Sequence, residues 1–231
     1  NHVILSDRSP LLEKELACRA GIGWIGEHCL LVNDKYGSYC VICTILLDIE
    51  LENSMPVSSK CVHCGLCRQS CPTGAIVAPR EINPLICLSY LTQASGVFPR
   101  KYRKMLGNRI YGCDSCQERC PGNKSVKPSP FPELAVNLFP AEPLLLPLLN
   151  ISKKEFAQTI GNTAAGWRGK TTLQRNAIIA LGNCKSEEAI APLIKVLTED
   201  SRPVIRLHAA WSLGQLGGQK AIHALKMARC R

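Results

Sequence analysis

Apolar positions are spread unevenly along the chain, and their spacing changes character more than once. Val3–Leu5 is a short apolar run that reads as extended. Ser9 followed by Pro10 has the form of a helix N-cap and first helical residue; Leu11, Leu12, Leu16 and Ala20 then fall at helical spacing until Gly21 ends the helix. Cys29–Val32 and Tyr39–Leu47 read as strands around the turn Asn33-Asp34-Lys35-Tyr36-Gly37. Through residues 58–125 the hydrophobic periodicity fades, so that region needs something other than an apolar core to hold it. Pro128, Pro130, Pro132, Pro140, Pro143 and Pro147 then mark residues 126–150 as a linker.

Beyond residue 150 the pattern becomes helical and repeats itself. Ala177, Leu181, Gly182, Ala189, Ile190 and Leu193 return as Ala209, Leu213, Gly214, Ala221, Ile222 and Leu225, every pair 32 positions apart. Such self-similarity marks two helix-pair units of an α-solenoid, similar to HEAT-like repeats. The expected fold is therefore α+β: an α/β piece over 1–57, a cysteine-rich domain over 58–125, the linker, and helical repeats over 151–231.

Composition and charge sharpen this picture. The 231 residues are 46% hydrophobic and 20% charged, which is globular, and no apolar run approaches the ~18 residues of a membrane span. The first residues carry neither a secretory signal nor an initiator Met, and the chain stops within the second repeat; both ends are expected to be truncated. The net charge of +10 is concentrated at one end: residues 151–231 hold 13 Lys and Arg against 5 Asp and Glu. Arg100, Lys101, Arg103, Lys104 and Arg109 form a further basic run. Both features suit contact with a polyanion.

Most of the fourteen cysteines crowd into two bursts with ligand-like spacing, which favours metal and a reducing, cytoplasmic compartment over a disulfide framework. The run Cys61-x2-Cys64-x2-Cys67-x3-Cys71-Pro72 has the spacing of a bacterial ferredoxin cluster motif, in which the fourth thiolate serves the other cluster. The second run, Cys113-x2-Cys116-x3-Cys120-Pro121, is one ligand short, and Cys87 between the runs supplies it. Exchanging the last cysteine of each run gives Cys61, Cys64, Cys67 and Cys120 for the first cluster. Cys71, Cys87, Cys113 and Cys116 then hold the second, with no remainder. Zinc sites place their two knuckles further apart.

Other signals carry less. Gly21-Ile22-Gly23-Trp24-Ile25-Gly26 matches the dinucleotide fingerprint, but it follows a helix and precedes a strand, the reverse of what pyrophosphate binding needs. Cys40 and Cys43 lie in a predicted strand, where residues three apart face opposite ways. His28 and His63 are left without a role, since cysteines already fill both clusters. Asp7, two residues ahead of the cap, has no capping task.

Asp7, the segment Arg19-Ala20-Gly21-Ile22-Gly23-Trp24, and the first cysteine run with Pro72-Thr73-Gly74-Ala75 together resemble the epoxyqueuosine reductase family. The likeness continues through Cys87-Leu88-Ser89-Tyr90-Leu91-Thr92, Gly107-Asn108-Arg109-Ile110-Tyr111-Gly112-Cys113-Asp114 and Trp167-Arg168-Gly169-Lys170. The resemblance implies reduction of the epoxide of epoxyqueuosine in tRNA to the alkene of queuosine, using cobalamin and two four-iron four-sulfur clusters. It makes residues 1–57 the C-terminal part of a cobalamin-binding domain. It implies Asp7 as proton donor beside the corrin, and Leu31, Ile42, Ser89, Asp114 and Ser115 as further corrin contacts. Arg100, Lys101, Arg103, Trp167, Arg168, Lys170, Arg175 and Arg206 become candidate tRNA contacts. An external electron donor, a monomeric state and no membrane association complete the expectation. The rivals are an iron–sulfur electron carrier serving a separate enzyme, a repeat scaffold with structural clusters, and a reductive dehalogenase, for which the basic repeats have no evident use.

Overall fold

The computed structural model describes residues 2–5, 10–127, 129, 131, 140 and 142–229. In chain order its elements are β1 (His2–Leu5), α1 (Glu13–Arg19), β2 (Trp24–Ile25), β3 (Leu31–Val32), β4 (Thr44–Leu47), α2 (Leu66–Gln69), β5 (Ile76–Ala78) and β6 (Glu81–Ile82). They continue with α3 (Leu88–Gln93), α4 (Ser115–Glu118), α5 (Leu145–Asn150) and α6 (Lys153–Gln158). The longest helices close the chain: α7 (Lys170–Cys184), α8 (Ile190–Glu199), α9 (Pro203–Leu216) and α10 (Gly218–Arg229). Contacts divide the molecule into two units, Asn1–Cys87 with Asp114–Pro132, and Leu88–Cys113 with Glu133–Arg231.

The first unit is built from short pieces. Helix α1 begins at Glu13 rather than Pro10, with Glu13 and Glu15 placing acidic side chains at its positive end. Pro10 and Leu11 form a bend instead, while Ser9 lies outside the described residues. Gly21, at φ +71°, turns the chain from this helix into β2, so the glycine-rich segment is the helix-to-strand turn its order implies. The two anticipated strands flank the Asn33–Gly37 turn but do not pair with each other. Strand β3 pairs with β2, Trp24 opposite Val32, and β4 pairs with β1, Ile4 opposite Ile45. The Asn33 carboxamide accepts from the amides of Lys35 (2.9 Å) and Tyr36 (3.2 Å), and the chain stays irregular from Cys40 to Cys43.

The second unit has a continuous core. Helix α7 packs on α5 and α9, and α9 packs on α8 and α10. Ala177, Leu181, Ala189 and Leu193 are buried, as are Ala209, Leu213 and Ala221 at the equivalent repeat positions; Ile222 is half exposed. Helix α5 falls within the stretch read as linker. Pro147 sits in its first turn, where the missing amide costs no intrahelical bond, and Leu148 and Leu149 are buried. Residues Leu88–Cys113 group with the repeats because α7 and α9 bind their backbone through side chains. Asn176 donates to the carbonyls of Thr92 and Ile110, both at 2.7 Å, and Asn183 to those of Arg103 (2.8 Å) and Gly107 (2.9 Å). The Phe98 amide donates to His208 Nε2 at 3.1 Å. Leu88, Leu91, Phe98 and Leu106 pack on Ile179 alongside these bonds.

Candidate metal centre

Cys61, Cys64, Cys67 and Cys120, taken from both cysteine runs, line one cavity of about 290 Å³ in the first unit. The local chain explains how they meet. Gly65, at φ +69° and with no atom near its missing Cβ, reverses the backbone between Cys64 and α2, which carries Cys67 inward. Cys120 precedes a 3₁₀ turn over Pro121–Asn123. The Asn123 side chain anchors that turn, donating to Ser38 Oγ (2.8 Å) and the Gln117 carbonyl (2.7 Å) while its Oδ1 accepts from the Ser38 amide (2.8 Å). Ser70 Oγ also donates to the Ser115 carbonyl at 2.9 Å, tying the end of α2 to α4.

The donor set suits a cluster better than a single ion. Thiolates on one zinc at ~2.3 Å stand no more than ~4.6 Å apart. Among the described residues, no three cysteine sulfurs lie within 4.8 Å of one another; the group that does is Glu27, Cys61 and His63. Four cysteines lining one cavity, with no three of the described sulfurs close enough to share one ion, suit the corners of a cuboidal cluster. Burial raises the thiol pKa values of Cys67 and Cys120, so the thiolate form awaits a cation to stabilise it, and metal loading releases protons.

Of the second set, Cys71, Cys87 and Cys116 are half-buried in the first unit, and Cys113 is the last residue of the segment assigned to the second. Burial works against the Cys71 thiolate, but the amides of Ile76, Ala75 and Thr73 outweigh it and lower the pKa. The Ala75 amide lies 3.2 Å from the Cys71 sulfur. This loop turns at Gly74, φ +67°, and presents amides to sulfur as cluster-binding loops do.

Around the cavity stand the two histidines that the sequence left without a role, together with Glu27 and Lys60, which it did not single out. Glu27, buried, bonds His63 Nδ1 through its Oε1 at 2.8 Å. His28, also buried, lines the cavity itself. Lys60 bonds Asp34 and lies over the Trp24 ring, 5.7 Å from its centroid. Of the spare cysteines, Cys40 is half-buried, Cys43 is exposed and Cys230 lies outside the described residues. Cys40 and Cys43 lie outside any strand, ahead of β4, so strand alternation does not turn them to opposite faces.

Asp7 lies outside the described residues. Leu31 and Ser115 are buried at 4% and 7% exposure, Ile42 is half-buried ahead of β4 rather than in a strand, and Asp114 is exposed with its Oδ1 accepting from Gln117 Nε2 at 2.6 Å. Ser89 belongs to the second unit and accepts from Gln93 Nε2 at 3.3 Å. Of the candidate RNA contacts, Arg100, Lys101, Trp167 and Arg168 are exposed, with the Arg168 guanidinium 3.5 Å from the Trp167 ring centroid. Lys170 is half-buried and donates to the Ile151 carbonyl at 3.0 Å, and Arg206 to that of Asp200 at 2.8 Å. Two expectations need correction. Arg103 is buried with Nε on the Phe98 carbonyl at 3.0 Å. Arg175, 1% exposed, is spent on the carbonyls of Leu91, Thr92, Ala94 and Gly96. Neither guanidinium is available to a phosphate.

Comparison with known proteins bears on this arrangement. Residues 60–123 match the model of a 4Fe-4S double cluster binding domain, and residues 168–229 match that of HEAT repeats. The chain is 40% identical over 225 residues to an epoxyqueuosine reductase of Bacillus anthracis, covering 97% of this chain and 59% of that protein. It is 42% identical over 228 residues to one from Listeria monocytogenes, with 96% and 59% covered. A crystal structure of epoxyqueuosine reductase with a tRNA-Tyr epoxyqueuosine-modified stem loop superposes with a TM-score of 0.95 at 39% identity, covering 99% of this chain and 61% of that one. The chain thus spans about three-fifths of the length of these relatives. No described helix is long and apolar enough to cross a membrane.

Proposed function

The chain belongs to the epoxyqueuosine reductase family, and from that membership we propose that it serves the reduction of the epoxide of epoxyqueuosine in tRNA to the alkene of queuosine. The conversion consumes two electrons and two protons and releases water. Two four-iron four-sulfur clusters, each passing one electron at a time, suit that demand. Cys61, Cys64, Cys67 and Cys120 hold the first; Cys71, Cys87, Cys113 and Cys116 hold the second. The observation that carries this reading is the single cavity lined by three cysteines of the first run and the last cysteine of the second.

Cobalamin, which comes with the family, supplies a strongly reducing cobalt centre when bound. Asp7 is the residue proposed to protonate the departing epoxide oxygen. A free Asp has a pKa of ~3.9, so the carboxyl needs burial beside its substrate to keep a proton near neutrality. Arg100, Lys101, Arg168 and Lys170, with Arg206, are the cations proposed to meet the RNA backbone, and the exposed Trp167 ring, already stacked with Arg168, is the aromatic group proposed to sit beside them. Cysteines spaced as metal ligands rather than as a disulfide framework suit the reducing cytoplasm as the compartment. An external reductant supplies the electrons, and the protein acts as a monomer.

Anaerobic reconstitution tests this. Eight irons and eight sulfides per chain are expected, and Cys120→Ser halves the iron by removing one cluster. With cobalamin and a low-potential reductant, an epoxyqueuosine-bearing stem loop is converted to the queuosine form, while Asp7→Asn retains iron and stops the conversion. Zinc in place of iron, or full iron in Cys120→Ser, overturns the cluster assignment.

A further inference from the structure

His28 is 3% exposed and its Nε2 is the one buried side-chain nitrogen or oxygen without a hydrogen-bond partner among the described residues. Its other ring nitrogen is engaged: Nδ1 accepts from the Leu30 amide at 3.2 Å. An accepting Nδ1 leaves the proton of a neutral ring on Nε2, so the orphaned atom is an N–H donor. Such a donor left unpaired in a protein interior is unfavourable. Gly26 makes room for the ring: a Cβ there would come 2.9 Å from His28 Cε1. The same ring lines the cavity that Cys61, Cys64, Cys67 and Cys120 surround. Neighbouring polar groups are already committed. Glu27 is paired with His63, and Lys60 with Asp34.

Resting on the two-cluster reading above, we infer that His28 donates a hydrogen bond from Nε2–H to a sulfur of the first cluster and thereby raises that cluster's reduction potential. The physical reason is charge. Reduction adds an electron that is shared with the sulfurs, and a donor aimed at one of them stabilises the reduced state more than the oxidised one. His28 is a positioning and tuning residue in this role, not a ligand, since four thiolates complete the set. The arrangement also distinguishes the two clusters: the first has an imidazole donor, whereas the Cys71 sulfur of the second is met by backbone amides.

The test uses the reconstituted, anaerobically reduced protein. With ¹⁵N-histidine labelling, pulsed EPR of the reduced clusters is expected to show a histidine nitrogen coupled to one of them. Potentiometric titration of His28→Leu is expected to shift the midpoint of that cluster alone to more negative values. The ratio of reduced to oxidised cluster at a fixed potential falls about tenfold, or about 59 mV for a one-electron couple. His28→Gln, which keeps an N–H donor, should recover part of the shift. A normal cluster signal without histidine coupling, and an unmoved midpoint in His28→Leu with full iron, overturn the inference; a bridging water would give that result. If His28→Leu loses its first cluster, the nitrogen coupling in the unsubstituted protein decides alone. Absence of any four-iron signal from the unsubstituted protein would instead defeat the cluster reading on which the inference stands.

Discussion

Arg175 carries a charge into the second unit with no carboxylate to meet it. Its guanidinium is instead enclosed by four backbone carbonyls and the Asn176 Oδ1, at 2.6 to 3.4 Å. Burial, with a smaller contribution from Arg103, lowers its pKa to about 10, which still leaves it protonated at neutrality. In the sequence this residue is one more cation in a basic region, because counting charge says nothing about which side of a helix is buried. His208 sits in the same polar seam, bonded to Phe98 and Val204. Burial first, then Arg103 and Arg175, lower its pKa to about 4, so the ring is neutral in the fold. The unfolded ring titrates near ~6.5 and therefore binds a proton first as the pH falls. Stability is complete above pH ~6.5 and is lost progressively towards the folded pKa near 4, by about 3 kcal/mol at most. Urea midpoints of the helical transition measured at pH 7 and pH 5 should therefore fall in the native protein. In His208→Gln, which can keep the bond to Phe98 without titrating, the midpoints should depend less on pH.

Among the elements, the helical repeats were legible and the small sheets were not, for a physical reason. A 32-residue period records the same packing contact made twice, so most of the positions that recur are buried, with Gly214 and Ile222 the exposed ones. Two-residue strands leave no such record: β2 and β3 pair through Trp24 and Val32, and nothing in an alternation of two residues selects that partner. The spacing named in advance the four cysteines that line one cavity, while the helix over 145–150 was hidden by a proline its first turn tolerates. Within the repeats, equivalent positions still differ. A Cβ on Gly182 in α7 would lie 2.8 Å from the Ser212 Cα, whereas one on Gly214 in α9 would meet nothing within 4 Å. Alanine at 182 should thus force the two helices apart, costing about 1–3 kcal/mol. Alanine at 214 should be neutral or stabilise by up to ~1 kcal/mol through helix propensity. Urea denaturation of the two variants at unchanged slope separates these outcomes; equal midpoints would mean that α7 and α9 do not approach so closely.

At the scale of the whole molecule, the two units depend on different forces. Of the buried hydrophobic residues described, Ala17, Trp24, Leu31, Val32, Cys67, Ala75 and Ile76 are all that the first unit holds, and the other 23 belong to the second. All three apolar clusters among the described residues lie in the second unit as well. A chain segment that buries so little apolar surface cannot offset its conformational entropy through packing alone. In the proposed ligand set, thiolate–iron bonds would crosslink loops far apart in sequence, from Cys61 to Cys120, and so supply what packing does not. Removing iron with an oxidant and chelator should therefore release the first unit selectively. By hydrogen exchange, amides around α2 and α4 are expected to lose protection, while those of α7 and α9 keep theirs and the helical circular dichroism is largely retained. Simultaneous loss of protection in both units would show that the repeats lean on the clusters. Unchanged protection of α2 and α4 would show that the first unit is held by its own packing, which the distribution of buried residues argues against.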